Sequence, residues 1–361
     1  MKWKIVLTAL VSLSTWAVGT AGCSDDGSKA GKDASVEQDG GQTQDAKAGD
    51  DASSQGDASP GRDGTTQDDG GTQGDIPVLG GCQIFPADSI WNTPIDQEPV
   101  DSRSDDYIDS IGRDTPVHPD FGAPWEGAPN GIPFDIVPQD QAMVPVSFDY
   151  DDESDPGPYP IPPDAQIEGG PDGDGDRHVL IIQQGSCILY EMFDSWPQED
   201  GSWHAGSGAI WHLDQNEVRP EGWTSADAAG LPILPGLIKY DEVMNDGEIH
   251  HAIRVTLNQI QHAYVHPATH SDGRCGNDPT CPPMGVRLRL KADFDISSFP
   301  APVQVILRAM KKYGLVVADT GTDMYISGVP DDRWDDDALH SLHNVTAGDF
   351  VVVQHGEIIP Y

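Results

Sequence analysis

The chain has 361 residues, with 60 Asp+Glu against 20 Lys+Arg, a formal charge of −40, five cysteines, 40 Gly and 30 Pro. At this length one or two domains with a sizeable core are expected. The charge excludes sequence-independent binding to nucleic acid or to anionic lipid headgroups, because neutralising phosphates takes Lys and Arg that this chain lacks.

In chain order, Met1-Lys2-Trp3-Lys4 and the apolar run from Ile5 to Val18 read as the n- and h-regions of a signal peptide, too short for a spanning helix. Thr20-Ala21-Gly22-Cys23 resembles the lipobox of bacterial lipoproteins. The resemblance implies cleavage before Cys23, diacylation of its thiol and membrane contact through the lipid alone. Ser24 follows where many retained lipoproteins carry aspartate, which points to the outer membrane or cell surface of a Gram-negative bacterium. An ordinary secretory signal is the alternative.

Residues 24–76 hold 13 acids, four bases and almost no apolar side chains, the composition of a disordered, charge-extended tether. Residues 77–361 hold 47 acids and 14 bases, so a charge of −33 belongs to the globular part. The organisation expected is a signal peptide over 1–22, an acylated cysteine and tether over 23–76, and one globular domain over 77–361. With Cys23 acylated, four cysteines remain, an even number that reads as two disulfides in an exported domain. Cys275 and Cys281 flank a short loop and pair locally, which leaves Cys82 for Cys187. A zinc site is the alternative, weakened by the lack of any C-x-x-C spacing.

The globular region consists of short strand-like runs separated by Pro, Gly and Asp. Strands are expected at Val144–Tyr150, His178–Gln184, Cys187–Phe193, Ile249–Leu257, Ala263–His266, Val286–Lys291, Leu315–Ala318, Met324–Ser327 and Phe350–Gln354. Gln183-Gln184-Gly185-Ser186 reads as a hairpin turn. One helix is expected from Pro302 to Tyr313, with Val303, Ile306, Leu307 and Met310 on one stripe and Gly314 as its stop, and a shorter one over Asp335–His343. The fold class that follows is a mainly-β sandwich or barrel-like single domain with long loops. The chain is expected to be monomeric.

Five constellations carry candidate chemistry. On the strand Cys187–Asp194, alternation puts Cys187, Leu189, Glu191 and Phe193 on one face. Glu191 is then a carboxylate on an apolar face, with the raised proton affinity of a general acid. A structural carboxylate paired with Arg254 or bonded to backbone amides is the alternative. Asp319 and Asp323 flank a Gly-containing turn between two apolar strands, close enough for like charges to separate their titrations, as in a retaining glycosidase. An Asx turn or a calcium site is the alternative there. Five of the twelve histidines fall within residues 250–270, where His251 or Tyr264 suits proton abstraction and converging imidazoles suit zinc or copper. Independent structural histidines are the competing reading. Trp196, Trp203, Trp211 and Trp223 lie within 28 residues, in polar loops suited to stacking on sugar rings, or else in the core. Asp172, Asp174 and Asp176 offer oxygen ligands to Ca²⁺, without the Glu that an EF-hand loop requires.

Met284-Gly-Val-Arg-Leu-Arg-Leu and Gly314-Leu-Val-Val-Ala-Asp-Thr-Gly resemble the strands of double-psi barrel glycan-cleaving enzymes, over under a tenth of the chain. Ile90-Trp-Asn-Thr-Pro, Trp223-Thr-Ser-Ala-Asp-Ala-Ala-Gly-Leu-Pro and Pro283-Met-Gly-Val-Arg-Leu-Arg-Leu-Lys are similar to stretches of secreted bacterial proteins of unassigned activity. That likeness implies a single domain from Cys82 to Gln354 and transfers no catalytic residue. Gly-x-Ser-x-Gly, a Walker loop, a Rossmann fingerprint and His-Glu-x-x-His are missing from the sequence.

The expected function is a surface-tethered glycoside hydrolase acting on a neutral polysaccharide or envelope glycan, with Glu191 as acid and Asp319 or Asp323 as base or nucleophile. A non-catalytic glycan-binding lipoprotein and a polysaccharide lyase with His251 or Tyr264 as base are the alternatives. A domain charge of −33 repels uronate polymers unless Ca²⁺ bridges the charges.

Overall fold

The computed structural model describes residues 76–125 and 127–361. The signal peptide, Cys23 and all of the tether before Ile76 lie outside the described residues. Among the described residues no helix is long and apolar enough to cross a membrane.

Two sheets organise the domain. Their strands, numbered along the chain, are β1 (His118–Asp120), β2 (Phe134–Val137), β3 (Val179–Gln183), β4 (Ile188–Phe193), β5 (Ser207–His212), β6 (Ile253–Leu257), β7 (Arg287–Leu290), β8 (Leu315–Thr320), β9 (Tyr325–Ser327) and β10 (Phe350–Val352). The four-stranded sheet has the order β5-β4-β3-β2 and the six-stranded sheet the order β10-β7-β8-β6-β9-β1. Pairing is mostly antiparallel, with parallel pairs at β2/β3, β6/β8 and β1/β9. Neither principal sheet closes into a barrel. The domain is mainly β, as the punctuated apolar runs predict.

The β3–β4 hairpin turns at the expected place, with Gln183 opposite Ile188. Side-chain alternation then divides the sheet between two apolar clusters. Leu180, Ile182, Leu189, Ala209 and Trp211 enter one, and Val179, Ile181, Tyr190 and Met192 the other. A sheet buried on both faces explains why β3 is an unbroken apolar run rather than an alternating one. The Cys82–Cys187 disulfide ties the start of the domain to the head of β4, and Cys275–Cys281 closes the local loop.

The six-stranded sheet packs against both longer helices. Helix α1 (Ser104–Ile111) contributes Tyr107, Ile108 and Ile111, and α2 (Ala301–Lys312) contributes Val303, Ile306, Leu307 and Met310. In α2 the fixed φ of Pro302 suits the first turn, and Lys311 and Lys312 complement the carbonyl end. Gly314, at φ +75°, adopts the left-handed conformation that stops it. The shorter predicted helix is a single α turn, Asp336–Leu339, continued as 3₁₀ over His340–Asn344. Five of these elements differ from expectation: β6 begins only at Ile253, so His250 and His251 precede the strand, and α1, β1, β2 and β5 have no counterpart in the predicted set.

Candidate active site

Between the two sheets runs the segment 224–236, pinned from both sides. From the four-stranded sheet, His178 Nε2 donates to the Ala226 carbonyl at 3.1 Å, and Glu191 accepts from the Ile233 and Leu234 amides at 3.0 and 2.9 Å. From the six-stranded sheet, Arg254 in β6 grips Asp227 with two bonds, Nε to Oδ2 at 2.7 Å and Nη2 to Oδ1 at 2.6 Å. Inside the segment the Ser225 hydroxyl accepts from the Asp227 amide, and Gly230 turns at φ +69°. A β-carbon at Gly230 would lie 2.2 Å from the Thr269 hydroxyl, so only glycine fits there.

Arg254 reaches a second carboxylate. Its Nη2 donates to Asp319 Oδ2 at 2.8 Å, its Nη1 to Ser327 Oγ at 2.8 Å, and Asp319 Oδ1 accepts from the Thr320 amide at 2.8 Å. The β6/β8 register explains this reach: Val255 opposes Val317 but Thr256 opposes Asp319, so β8 carries one extra residue there. Such a bulge re-aims the side chain that follows it. Asp227 is fully buried, whereas Asp319 keeps a fifth of its side chain exposed.

That exposed edge faces a cavity of about 530 Å³. The strand ends contribute His178, Phe193, Ser207, Asp319 and Thr320, the pinned segment contributes Asp227, and the loop after Pro267 adds His270, Asp272 and Arg274. Glu153 and Asp176 complete an acidic wall. Burial raises the proton affinity of Asp319, to a pKa of about 7, and the neighbouring charges of Asp227 and Asp272 add to it against the pull of Arg254. His178 is the opposite case. Burial disfavours its charge, but Glu168, 2.6 Å from Nδ1, more than compensates and holds the imidazolium up to a pKa of about 9. With both ring nitrogens donating, His178 is a fixed cation rather than a base. His270 donates from Nδ1 to the Ala228 carbonyl at 2.6 Å. A partly exposed carboxyl with raised proton affinity, beside other carboxylates in one cavity, is equipped to deliver a proton.

Of the candidates from sequence, Asp319 and Asp176 reach this cavity. Glu191 does face the apolar cluster as alternation requires, and burial pushes its pKa to about 7 against the pull of its hydrogen bonds. However, it is fully buried, and its oxygens are taken by two backbone amides and by Trp211 Nε1 at 3.1 Å. No substrate reaches it, so its role as acid is withdrawn: it positions residues 233–234. Nor is Arg254 its partner. Asp323 accepts from the Asn258 amide at 2.7 Å and lines a separate cavity with His118, Tyr325 and His343, so it forms no pair with Asp319 in one cleft.

The histidine cluster disperses. His251 is buried, with Nε2 3.2 Å from Glu242 and Nδ1 2.8 Å from the Ala252 carbonyl. The Tyr264 hydroxyl donates to Glu221, which His266 also meets at 3.0 Å, and burial raises the tyrosine pKa to about 12. Neither proposed lyase base lines the cavity that Asp319 lines. Trp203 and Trp211 are core residues, which removes them as sugar platforms. Trp196 is 41% exposed but lies against the Arg177 guanidinium, 3.7 Å from its centre, and Trp223 is half-buried beside Arg219. Asp172 and Asp174 do not join Asp176 at the cavity, because the Arg177 Nη1 draws the carbonyls of Pro171 and Gly173 around itself. Among the described residues no three acidic, histidine or cysteine side chains converge as metal ligands, the expected Ca²⁺ loop included.

Sequence reading missed Asp227, Arg254 and His178 as a set, because Arg254 lies 27 residues from Asp227, and His178 lies 48 from its partner Ala226, separations that leave no local pattern. Their one signal is an arginine inside the predicted strand Ile249–Leu257, flanked by Ile253 and Val255, which demands a buried counter-charge. Comparison with known proteins finds no matching family model, no similar curated sequence and no similar solved structure.

Proposed function

We propose that the chain is a glycoside hydrolase acting on a neutral polysaccharide, held at the cell envelope by a lipid on Cys23. Asp319 protonates the glycosidic oxygen as the bond to the sugar breaks. Asp272, on the same cavity and close enough for its charge to act on Asp319, supplies the second carboxylate that such chemistry needs. The observation that carries this reading is the state of Asp319: the one member of the Asp227–Arg254–Asp319 cluster with an exposed edge, on a cavity wall, with its proton affinity raised. The acidic wall supports a neutral substrate, because Glu153, Asp176 and Asp272 repel uronates.

The test is a panel of neutral and uronate polysaccharides incubated with the purified protein, scored for reducing ends and for the absorbance of unsaturated products. Reducing ends released from a neutral polymer by wild type and lost in Asp319→Asn support the proposal. Unsaturated products from a uronate polymer would replace it by the lyase reading, and binding without turnover across the panel by the glycan-binding one.

A further inference from the structure

A cavity of about 590 Å³, separate from the one that Asp319 lines, is bordered by His118, Asn258, Asp323, Tyr325 and His343. Converging imidazoles are expected from sequence at residues 250–270, but the structure gathers them here, from segments far apart in the chain. His118 opens β1, where its register partner in β9 is Tyr325, and the two rings stack with centroids 4.1 Å apart. His343 comes from the 3₁₀ turn His340–Asn344, whose three-residue repeat sets His340 and His343 on one side, their rings stacked at 5.4 Å. Across the gap between strand and turn, His118 Nδ1 and His343 Nε2 face each other at 3.0 Å.

What distinguishes these imidazoles is their company. Among the described residues seven of the twelve histidines contact a carboxylate, as expected in so acidic a domain, whereas His118 and His343 have each other, His340 and Tyr325 for partners and no carboxylate. The pair is open to solvent: His343 is exposed, and His118 is half-buried on the cavity wall. One N–H bridges the two rings, and a metal ion can take the place of that proton, each ring then carrying its own N–H on its other nitrogen. Two nitrogens 3.0 Å apart, each about 2.0–2.1 Å from one ion, subtend about 95° at it. That is close to the right angle of tetragonal copper(II) and short of the tetrahedral angle of zinc. Copper(II) also stands highest in the affinity order of divalent first-row metals, and both Asp323 on the same wall and the charge of −33 over residues 77–361 attract a dication.

We infer that His118 and His343 bind a copper(II) ion on this cavity wall, through Nδ1 and Nε2, with water completing its square. The site has two protein ligands, and among the described residues no third converges with them. The inference stands independently of the hydrolase reading, since no group of the Asp319 cavity takes part in it.

The test titrates the full chain, without a histidine tag, with copper(II) chloride and with zinc chloride, and reads the heat of binding and, for copper, the electron paramagnetic resonance spectrum. Expected are one equivalent of copper(II) whose spectrum carries splitting from two imidazole nitrogens, affinity at least about tenfold weaker for zinc, and a similar loss for copper in His118→Gln and in His343→Gln. His343→Gln changes an exposed side chain and so decides the matter should His118→Gln fail to fold. His212→Gln, which removes a histidine paired with Glu217, should bind copper as wild type does. Copper bound equally by wild type and by His343→Gln means an adventitious ion only and overturns the inference. Zinc binding as tightly as copper also overturns it, because the right-angled pair would then not be selecting the metal.

Discussion

Glu191 and Asp319 are both carboxyls pushed toward neutral pKa values by burial, and they separate cleanly on what surrounds them. Glu191 has no exposure and three N–H donors fixed on it, whereas Asp319 has a solvent-facing edge. Glu191→Gln places an amide N–H₂ against the Trp211 indole or the segment amides, a donor facing a donor. A loss of about 1–3 kcal/mol is expected in chemical denaturation. Because the folded pKa of Glu191 is raised from 4.5 to about 7, the stability it contributes is complete below pH 4.5 and is lost as pH climbs through 7. Denaturation at a series of pH values should therefore show the wild-type advantage over Glu191→Gln shrinking across that window. For Asp319 the same direction of shift acts on rate: the protonated acid disappears as pH rises through about 7, so hydrolysis should decline on that limb and no earlier. Asp319 was legible in the sequence as an aspartate beside a glycine turn, and so was the apolar face of Glu191. What separates a proton donor from a positioning group, access and partners, is set by residues far along the chain.

The pinned segment 224–236 is the element on which the site depends, and its anchors come from both sheets. It has no regular strand or long helix of its own, only the 3₁₀ turn Leu234–Gly236, so no periodicity marks it. The hairpin β3–β4 was readable as two apolar runs broken by a glycine-containing turn, and helix α2 because its apolar spacing keeps one period throughout. Helix α1 was not, since Ser104-Asp-Asp-Tyr-Ile-Asp-Ser-Ile offers only three apolar residues and weak helix formers, and packing of Tyr107, Ile108 and Ile111 decides it. Strand β5, Ser207-Gly-Ala-Ile-Trp-His, lacks alternation because the small residues on it are buried as well. The Cys82–Cys187 bond spans 105 residues and holds β4, the strand that carries Glu191, to the start of the domain. Replacing both cysteines by serine should cost about 4–5 kcal/mol by loop-closure entropy, measurable as a lower denaturation midpoint in the oxidised protein. No change under reducing conditions would show that the bond contributes nothing.

At the scale of the whole molecule, the charge of −33 over residues 77–361 is the property that both sequence and cavity share. It is concentrated again on the cavity wall, where Arg274 and the imidazolium of His178 are outnumbered by carboxylates. Screening acts over about 8 Å at physiological ionic strength. Turnover of a neutral polymer should therefore be indifferent to salt, while any residual binding of polygalacturonate should strengthen as salt rises, checked by calorimetry at two ionic strengths. The central claim is that Asp319 delivers the proton. Its most direct test is the rate of reducing-end release from the best neutral polysaccharide by wild type, Asp319→Asn and Asp323→Asn. The account predicts a loss of about 10²-fold or more in Asp319→Asn, with Asp323→Asn near wild type. Wild-type rates in Asp319→Asn, or an equal loss in Asp323→Asn, would contradict it.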